Sequence, residues 1–150
     1  MLYMTVYGIA TKLALVGWAL LFVSLFVAST RRLAWPIAQF AVPALFGLLY
    51  LLMVWEGRGA LHLPDSFTTH DGIKALFQND SALTAGWIHI MAMDIFAGAW
   101  IAQDGLERGV PKLLLLLLLI LTFSFGPSGL LLYILVRFAF RPRAAEAPDA

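Results

Sequence analysis

The sequence predicts an all-α fold: an integral membrane bundle of four transmembrane helices joined by short loops. Three observations predict it. The 150-residue chain is 61% hydrophobic and only 13% charged, with a mean hydropathy of +0.86, whereas soluble domains run about 45–50% apolar and about 25% charged. So large an apolar surface has no polar shell to cover it, which makes the bilayer its solvent. Four stretches, around residues 6–28, 33–55, 82–102 and 113–138, reach the roughly 20 mostly apolar residues that cross a hydrocarbon core. Only one connection, residues 56–81, is long. The expected organisation is a single domain over 1–140 followed by a flexible polar tail over 141–150.

The elements follow in order. The first span carries Lys12 near its start, close enough for the side chain to reach the interface. No basic residue precedes Lys12 and the apolar run over 13–28 is longer than a signal-peptide core, so a retained helix is expected. Arg31 and Arg32 occupy a very short first loop. Pro43 removes a backbone donor inside the second span and predicts a kink. In the long connection, Ile73, Leu76 and Phe77 fall on one side of residues 72–78, which suits a short interfacial helix. Asp80 and Ser81 can cap the third helix. Gly105, Gly109 and Pro111 punctuate the turn into the fourth. That helix begins with leucine at every position from 113 to 119, read as lipid-facing filler. Its apolar run is interrupted by 126-GPSG-129, where Pro127 predicts a kink and Gly126 and Gly129 allow close approach of a helix or a ligand.

Four spans put both chain ends on one side. Lys12, Arg58, Lys74, Arg137, Arg141 and Arg143 then face Arg31, Arg32, Arg108 and Lys112. Six against four leans towards cytoplasmic termini by the positive-inside rule, while the tight Arg31–Arg32 pair argues the other way.

Several function classes drop out. A net charge of +1 gives no electrostatic case for nucleic acid. The absence of cysteine excludes disulfides, thiolate-ligated iron–sulfur centres, covalent c-type haem and a Cys nucleophile. No phosphate-cradling glycine loop, dinucleotide fingerprint or nucleophile elbow is present. Chemistry, if any, takes place among membrane lipid, on a lipophilic small molecule.

The polar residues of the third span stand out in 86-GWIHIMAMDIF-96. A carboxylate at mid-bilayer costs roughly 2.5–3.5 kcal/mol on insertion scales. At about 100° per residue, His89 and Asp94 lie about 140° apart around the helix and do not share a face. Both faces carry small residues, Ala85 and Gly86 on one and Ala97 and Gly98 on the other, so this helix is expected to be central and contacted on two sides. Two readings stay open. His89 and Asp94 are interhelical glue, bonding Gln39, Thr122 or Ser124, or they form a proton-transfer or metal site facing a substrate cleft. For a metal, His89 is the best candidate ligand. A two-His-one-carboxylate iron site needs His62 or His70 to fold in from the loop. A bis-histidine haem needs a second intramembrane histidine, which only a partner chain could supply; separately, a homo-oligomer is among the expected partners. Asp104 and Glu107, three apart, can present both carboxylates on one face. They are either a solvated helix end, with Glu107 pairing Arg108 or Lys112, or a carboxylate pair at the mouth of a cleft.

The combined pattern of 87-WIH-89, Asp94, Phe96, 104-DGLE-107 and 126-GPSG-129 resembles the abscisic-acid-deficient family, also called neoxanthin-synthase-like, from the second helix through the fourth. The resemblance implies a four-helix integral membrane protein that acts on or binds a carotenoid. The reaction would be the epoxide-to-allene isomerisation of the plant members or an oxidative cleavage of β-carotene, the latter needing non-haem iron. A bacterial-type member implies the inner (plasma) membrane. The match carries catalytic candidacy to His89, Asp94, Asp104 and Glu107, with Trp87, Phe96, Gly126, Pro127 and Gly129 as substrate-facing positions. The alternative is a non-enzymatic membrane scaffold or carotenoid-binding partner. Trp35, Trp55 and Trp100 suit a membrane-interface belt, while Trp18 and Trp87 suit either packing or a polyene.

Overall fold

The computed structural model describes residues 1–140, and every regular element in them is helical. The expected flexible tail, 141–150, lies outside the described residues.

Helix α1 (Leu2–Phe26) ends at Val27, whose extended backbone (φ −106°, ψ 97°) turns the chain straight into α2 (Ala28–Pro36). The expected first loop is therefore a single residue, and Arg31 and Arg32 are helical. Arg31 donates from Nε to the Ser24 carbonyl at 2.9 Å and from Nη2 to the Leu25 carbonyl at 3.2 Å. These belong to the last turn of α1, where carbonyls have no partner within the helix.

The second span is irregular at a different place from the one expected. Between α2 and α3 (Val42–Gly57) lies one π turn, Ile37–Ala41, closed by the Val42 N–H on the Ile37 carbonyl. Pro36 and Pro43 flank this turn, and neither has an N–H to hold the chain in α register. Pro43 itself stands in the first turn of α3, where a missing donor costs nothing. The path from Ala28 to Ala60 is long and apolar enough to cross a membrane, as are Leu2–Phe26 and Asp80–Glu107.

Two short helices, α4 (Asp65–Thr68) and α5 (His70–Leu76), fill the long connection. Helix α6 (Asp80–Glu107) is then capped by Asn79, one residue before the expected caps. The Asn79 side chain accepts from the N–H groups of Ser81 and Ala82, each at 3.0 Å. As expected, α6 is central and touches α1, α3 and the π turn. It runs parallel to α1, with Gly17 against Ile95 and Trp18 filling the notch at Gly98. It runs antiparallel to α3, with Gly57 against Ala82, Tyr50 beside His89 and Gln39 bonded to Gln103.

The fourth span needs correction. Residues 112–139 form two helices, α7 (Lys112–Phe125) and α8 (Pro127–Ala139), of 14 and 13 residues. At 1.5 Å per residue each is about 20 Å long, short of a hydrocarbon core of about 30 Å. Helix α7 starts beside the C-terminal end of α6, where Leu115 packs on Gly105, and reaches Trp18 through Phe123. Helix α8 then climbs back along α6: Gly126 lies on Asp94, Tyr133 on Trp100, Arg137 on Asp104, and the Phe140 carbonyl on Arg108. The two helices are a re-entrant hairpin with its tip at the mid-depth of α6. A proline alone kinks a helix, whereas Gly126, at φ +31° and ψ −91°, reverses it. Gly129 lets the returning strand of the hairpin sit on the backbone of Thr122. Such backbone at membrane depth is tolerated where protein buries it, and Gly126, Gly129 and Thr122 are all buried.

The expected placement of both chain ends on one side does not hold for Phe140, the last described residue. Met1 shares a face with the α4–α5 connection, while Phe140 lies on the opposite face with Arg31 and Arg108.

Candidate functional site

The two ionisable residues of α6 open into two cavities on different sides of that helix. The first cavity, of about 320 Å³, lies between the C-terminal half of α3 and the N-terminal half of α6, roofed by α4 and α5. Tyr50, Arg58, Phe67, Phe77, Gly86 and His89 are among its lining residues. Gly86 makes the roof possible, because a Cβ there would stand 3.0 Å from the Phe77 ring. His89 is exposed and its ring centroid lies 6.0 Å from that of Tyr50. Arg58 sits at the opposite end of the cavity, where its guanidinium lies 4.3 Å from the centroid of the Trp55 ring.

The second cavity, of about 220 Å³, lies between α1, α6 and the end of α7. Thr11, Trp18, Trp87, Asp94 and Phe123 line it, and Trp18 meets Phe123 edge-on at 5.4 Å. The Asp94 carboxylate rests against the hairpin tip, so that a Cβ on Gly126 would stand 2.5 Å from Oδ1.

Neither His89 nor Asp94 bonds a neighbouring helix among the described residues. The three side chains expected as partners are engaged elsewhere or exposed. Gln39 Oε1 accepts from Gln103 Nε2 at 2.8 Å, and Thr122 donates to the Leu118 carbonyl at 2.8 Å within its own helix. Ser124 is exposed.

Asp104 is the opposite case. Its carboxylate accepts from Arg108 Nε at 2.8 Å, from Arg137 Nε at 2.7 Å and Nη2 at 3.2 Å, and from the Tyr133 hydroxyl. Arg137 also lies 5.6 Å from the centroid of Trp100, whose ring meets Tyr133 edge-on. The carboxylate thus locks α8 onto α6. Glu107, three residues on, is exposed, and Arg108 turns to Asp104 rather than to Glu107.

The remaining expected positions divide by role. Trp87 lines the Asp94 cavity. Phe96 is 42% exposed and lines neither cavity. Gly126, Pro127 and Gly129 shape the hairpin instead of lining a pocket. Sequence reasoning missed Tyr50, Arg58 and Thr11. A lone hydroxyl or phenol in an apolar run carries no sequence signal and Arg58 reads only as a loop charge, so only packing across helices brings these groups to the cavities.

The donor set for a two-His-one-carboxylate iron site is not assembled. Among the described residues no three His, Asp or Glu side chains gather to hold a metal. His70 is exposed beside Asp71, at 3.7 Å, and His62, also exposed, uses its backbone N–H to bond Ser66 Oγ at 2.9 Å.

No curated protein and no solved structure matches the chain. The family model described as ABA DEFICIENT 4-like matches residues 5–133, which takes in all three long helices and the hairpin as far as the tyrosine that holds Asp104. This all-helical membrane protein therefore belongs to the ABA DEFICIENT 4-like family.

Proposed function

We propose that the protein binds a carotenoid-like polyene within the bilayer and alters it, with an oxygen-bearing end ring of the ligand in the cavity of His89. One observation carries this reading. An imidazole in a helix long and apolar enough to cross a membrane, with no hydrogen bond to any described residue, opens into an apolar cavity whose lining also includes Arg58. A histidine that served as glue would bond across to another helix. The volume of about 320 Å³ lies at the lower end of small-molecule pockets, about 300–1,000 Å³. That is room for an end ring, with the polyene lying along the lipid-facing surface.

The chemistry that these groups support is acid–base. His89 would give a proton to an oxygen on the ring or take one from the polyene, with Tyr50 beside it. Isomerisation fits that inventory better than oxidative cleavage, for which the described residues gather no iron-binding set. The test is expression in carotenoid-producing cells, with pigments compared for the wild-type chain and His89→Ala. A new pigment that disappears in His89→Ala supports the reading. Pigment that co-purifies unaltered with both points to the scaffold alternative, and no effect on any pigment in several carotenoid backgrounds overturns both.

The re-entrant hairpin also favours an orientation. It places Arg31, Arg32, Arg108, Lys112 and Arg137 on one face, against Arg58 and Lys74 on the other, with Lys12 inside α1. We infer that the first face is cytoplasmic by the positive-inside rule, which puts the mouth of the His89 cavity on the far side of the membrane. The chain has no cysteine, so single cysteines at Gly59 and Phe140 can be labelled in intact cells with a membrane-impermeant maleimide. Labelling at position 59 alone is expected; labelling at position 140 alone reverses the orientation, and equal labelling of both replaces the hairpin with a full span.

A further inference from the structure

We propose that the Asp94 carboxylate anchors a lateral site for a lipophilic amine, taken up from the bilayer in its protonated form. The site lies on the other side of α6 from His89 and does not depend on the reading given for that cavity.

Asp94 stands halfway along α6, so a membrane crossed by that helix holds its carboxylate at mid-depth. Ionisable groups placed there are costly, and they pair or mark a ligand path. The Asp94 oxygens make no hydrogen bond among the described residues, yet they are not sealed in. Among the described residues that are not exposed, the one unbonded side-chain oxygen or nitrogen without accessible surface is Thr11 Oγ1. Both Asp94 oxygens therefore keep open surface, and the residue lines the cavity of about 220 Å³. No cation of the protein answers the carboxylate. The lining of the cavity contains no lysine, arginine or histidine. Lys12 is exposed on α1, outside that lining. Its stem leans toward the N-terminal end of α1, where the ammonium reaches the interface.

The surroundings favour a cation over a neutral donor. A closed circuit of contacts brings aromatic rings to the carboxylate. The hairpin tip lies on it, since a Cβ on Gly126 would stand 2.5 Å from Oδ1. Phe123, about one turn before Gly126, meets Trp18 edge-on at 5.4 Å. The Trp18 ring fills the notch at Gly98, where a Cβ would stand 2.5 Å from Cη2. Gly98 lies one turn from Asp94 on the same face of α6, which closes the circuit. Trp87 lies two turns the other way on that face. The quadrupoles of such rings attract an ammonium group, whereas a hydroxyl has no charge for them to act on. An ammonium also donates to the carboxylate in a charge-assisted hydrogen bond, about twice as strong as a neutral one. Trp87 and Ile90, 44% and 50% exposed, stand at the outer rim. The cavity therefore opens sideways into the bilayer. It takes the head of the amine, and the apolar tail trails out between the lipids.

The test is a calorimetric titration of the purified full chain, in a non-ionic detergent at neutral pH, with dodecylamine and with dodecanol as its uncharged twin. Saturable binding of the amine is expected, about tenfold or more tighter than that of the alcohol, the size of one hydrogen bond to a charged group. This comparison is read on the wild type and needs no variant to fold. Asp94→Asn keeps the shape and removes the charge, and is expected to weaken the amine about tenfold or more. Glu107→Gln, which removes an exposed carboxylate from the same helix, leaves amine binding unchanged, and so does Lys12→Met. No saturable amine binding, equal binding of amine and alcohol by the wild type, or full amine affinity in Asp94→Asn overturns the proposal. An equal loss in Glu107→Gln overturns it by reducing the binding to general attraction between charges. A large gain of affinity in Lys12→Met overturns it as well, by making Lys12 the resident counter-charge of Asp94.

Discussion

Asp94 and Asp104 stand ten residues apart on the same helix, and they differ in almost everything except chemistry. Asp104, near the end of α6, is held by two guanidiniums and a phenol. Asp94, at the middle, lies against a glycine and faces a cavity with no hydrogen bond. The first carboxylate is saturated by its own fold, which leaves it no capacity for a ligand. The second is costly to place and unanswered by the protein, which is the pattern of a group kept for something else. Paired carboxylates in a sequence cannot be ranked by type, only by what reaches them.

The largest effect is expected of Asp104→Ala. It leaves Arg108 and Arg137 facing each other with no counter-charge, and removing one partner from a poorly solvated ion pair costs about 3–5 kcal/mol. A large drop in thermal midpoint in detergent is expected, with α8 the first segment to gain amide exchange. A drop no larger than that of an exposed site would mean that the cluster is not the clamp on the hairpin. Next in size is Gly126→Ala. The new Cβ meets the Asp94 carboxylate and the backbone there has positive φ, a combination expected to cost about 2 kcal/mol. Adding Asp94→Gly should return about 1 kcal/mol of this by removing the clash; strict additivity of the two substitutions would argue against the contact.

Smaller effects sharpen the contrast. Gln103→Leu breaks the bond that ties α6 to the π turn and strands Gln39, for about 1–2 kcal/mol by thermal unfolding. Asp94→Asn should leave the thermal midpoint unchanged or raise it, because the fold has no bond there to lose and an unanswered charge is removed. Asp104→Asn, by contrast, loses its ion pairs with two guanidiniums and should cost clearly more. Glu107→Gln, at an exposed site, should leave the midpoint unchanged.

Much of this was legible in the sequence, and the rest failed for identifiable reasons. Apolar run length is a local property, so the membrane class, α1, α6 and the central place of α6 could all be read. The angular separation of His89 and Asp94 follows from helix geometry alone, and the two cavities bear it out. The hairpin was hidden because hydropathy adds up the 26 residues over 113–138 without sensing direction. A single backbone angle at Gly126 decides between a kink and a reversal. The role of Asp104 was hidden because Tyr133 and Arg137 are 29 and 33 residues away. The Gln39–Gln103 bond spans 64 residues, and Thr11 gains meaning only when α6 and α7 are packed beside it.

The π turn at Ile37–Ala41 has a consequence for reading relatives of this chain. A bond from residue 42 back to residue 37 encloses one residue more than an α turn does, so the segment behaves as a one-residue insertion inside a helix. A relative lacking one residue just before its equivalent of Pro43 would keep a regular helix there. Everything upstream would then rotate by about 100° relative to α3. The glutamine facing Gln103 would be lost, and a gap in an alignment at this point would mark a change in how the second span grips the third.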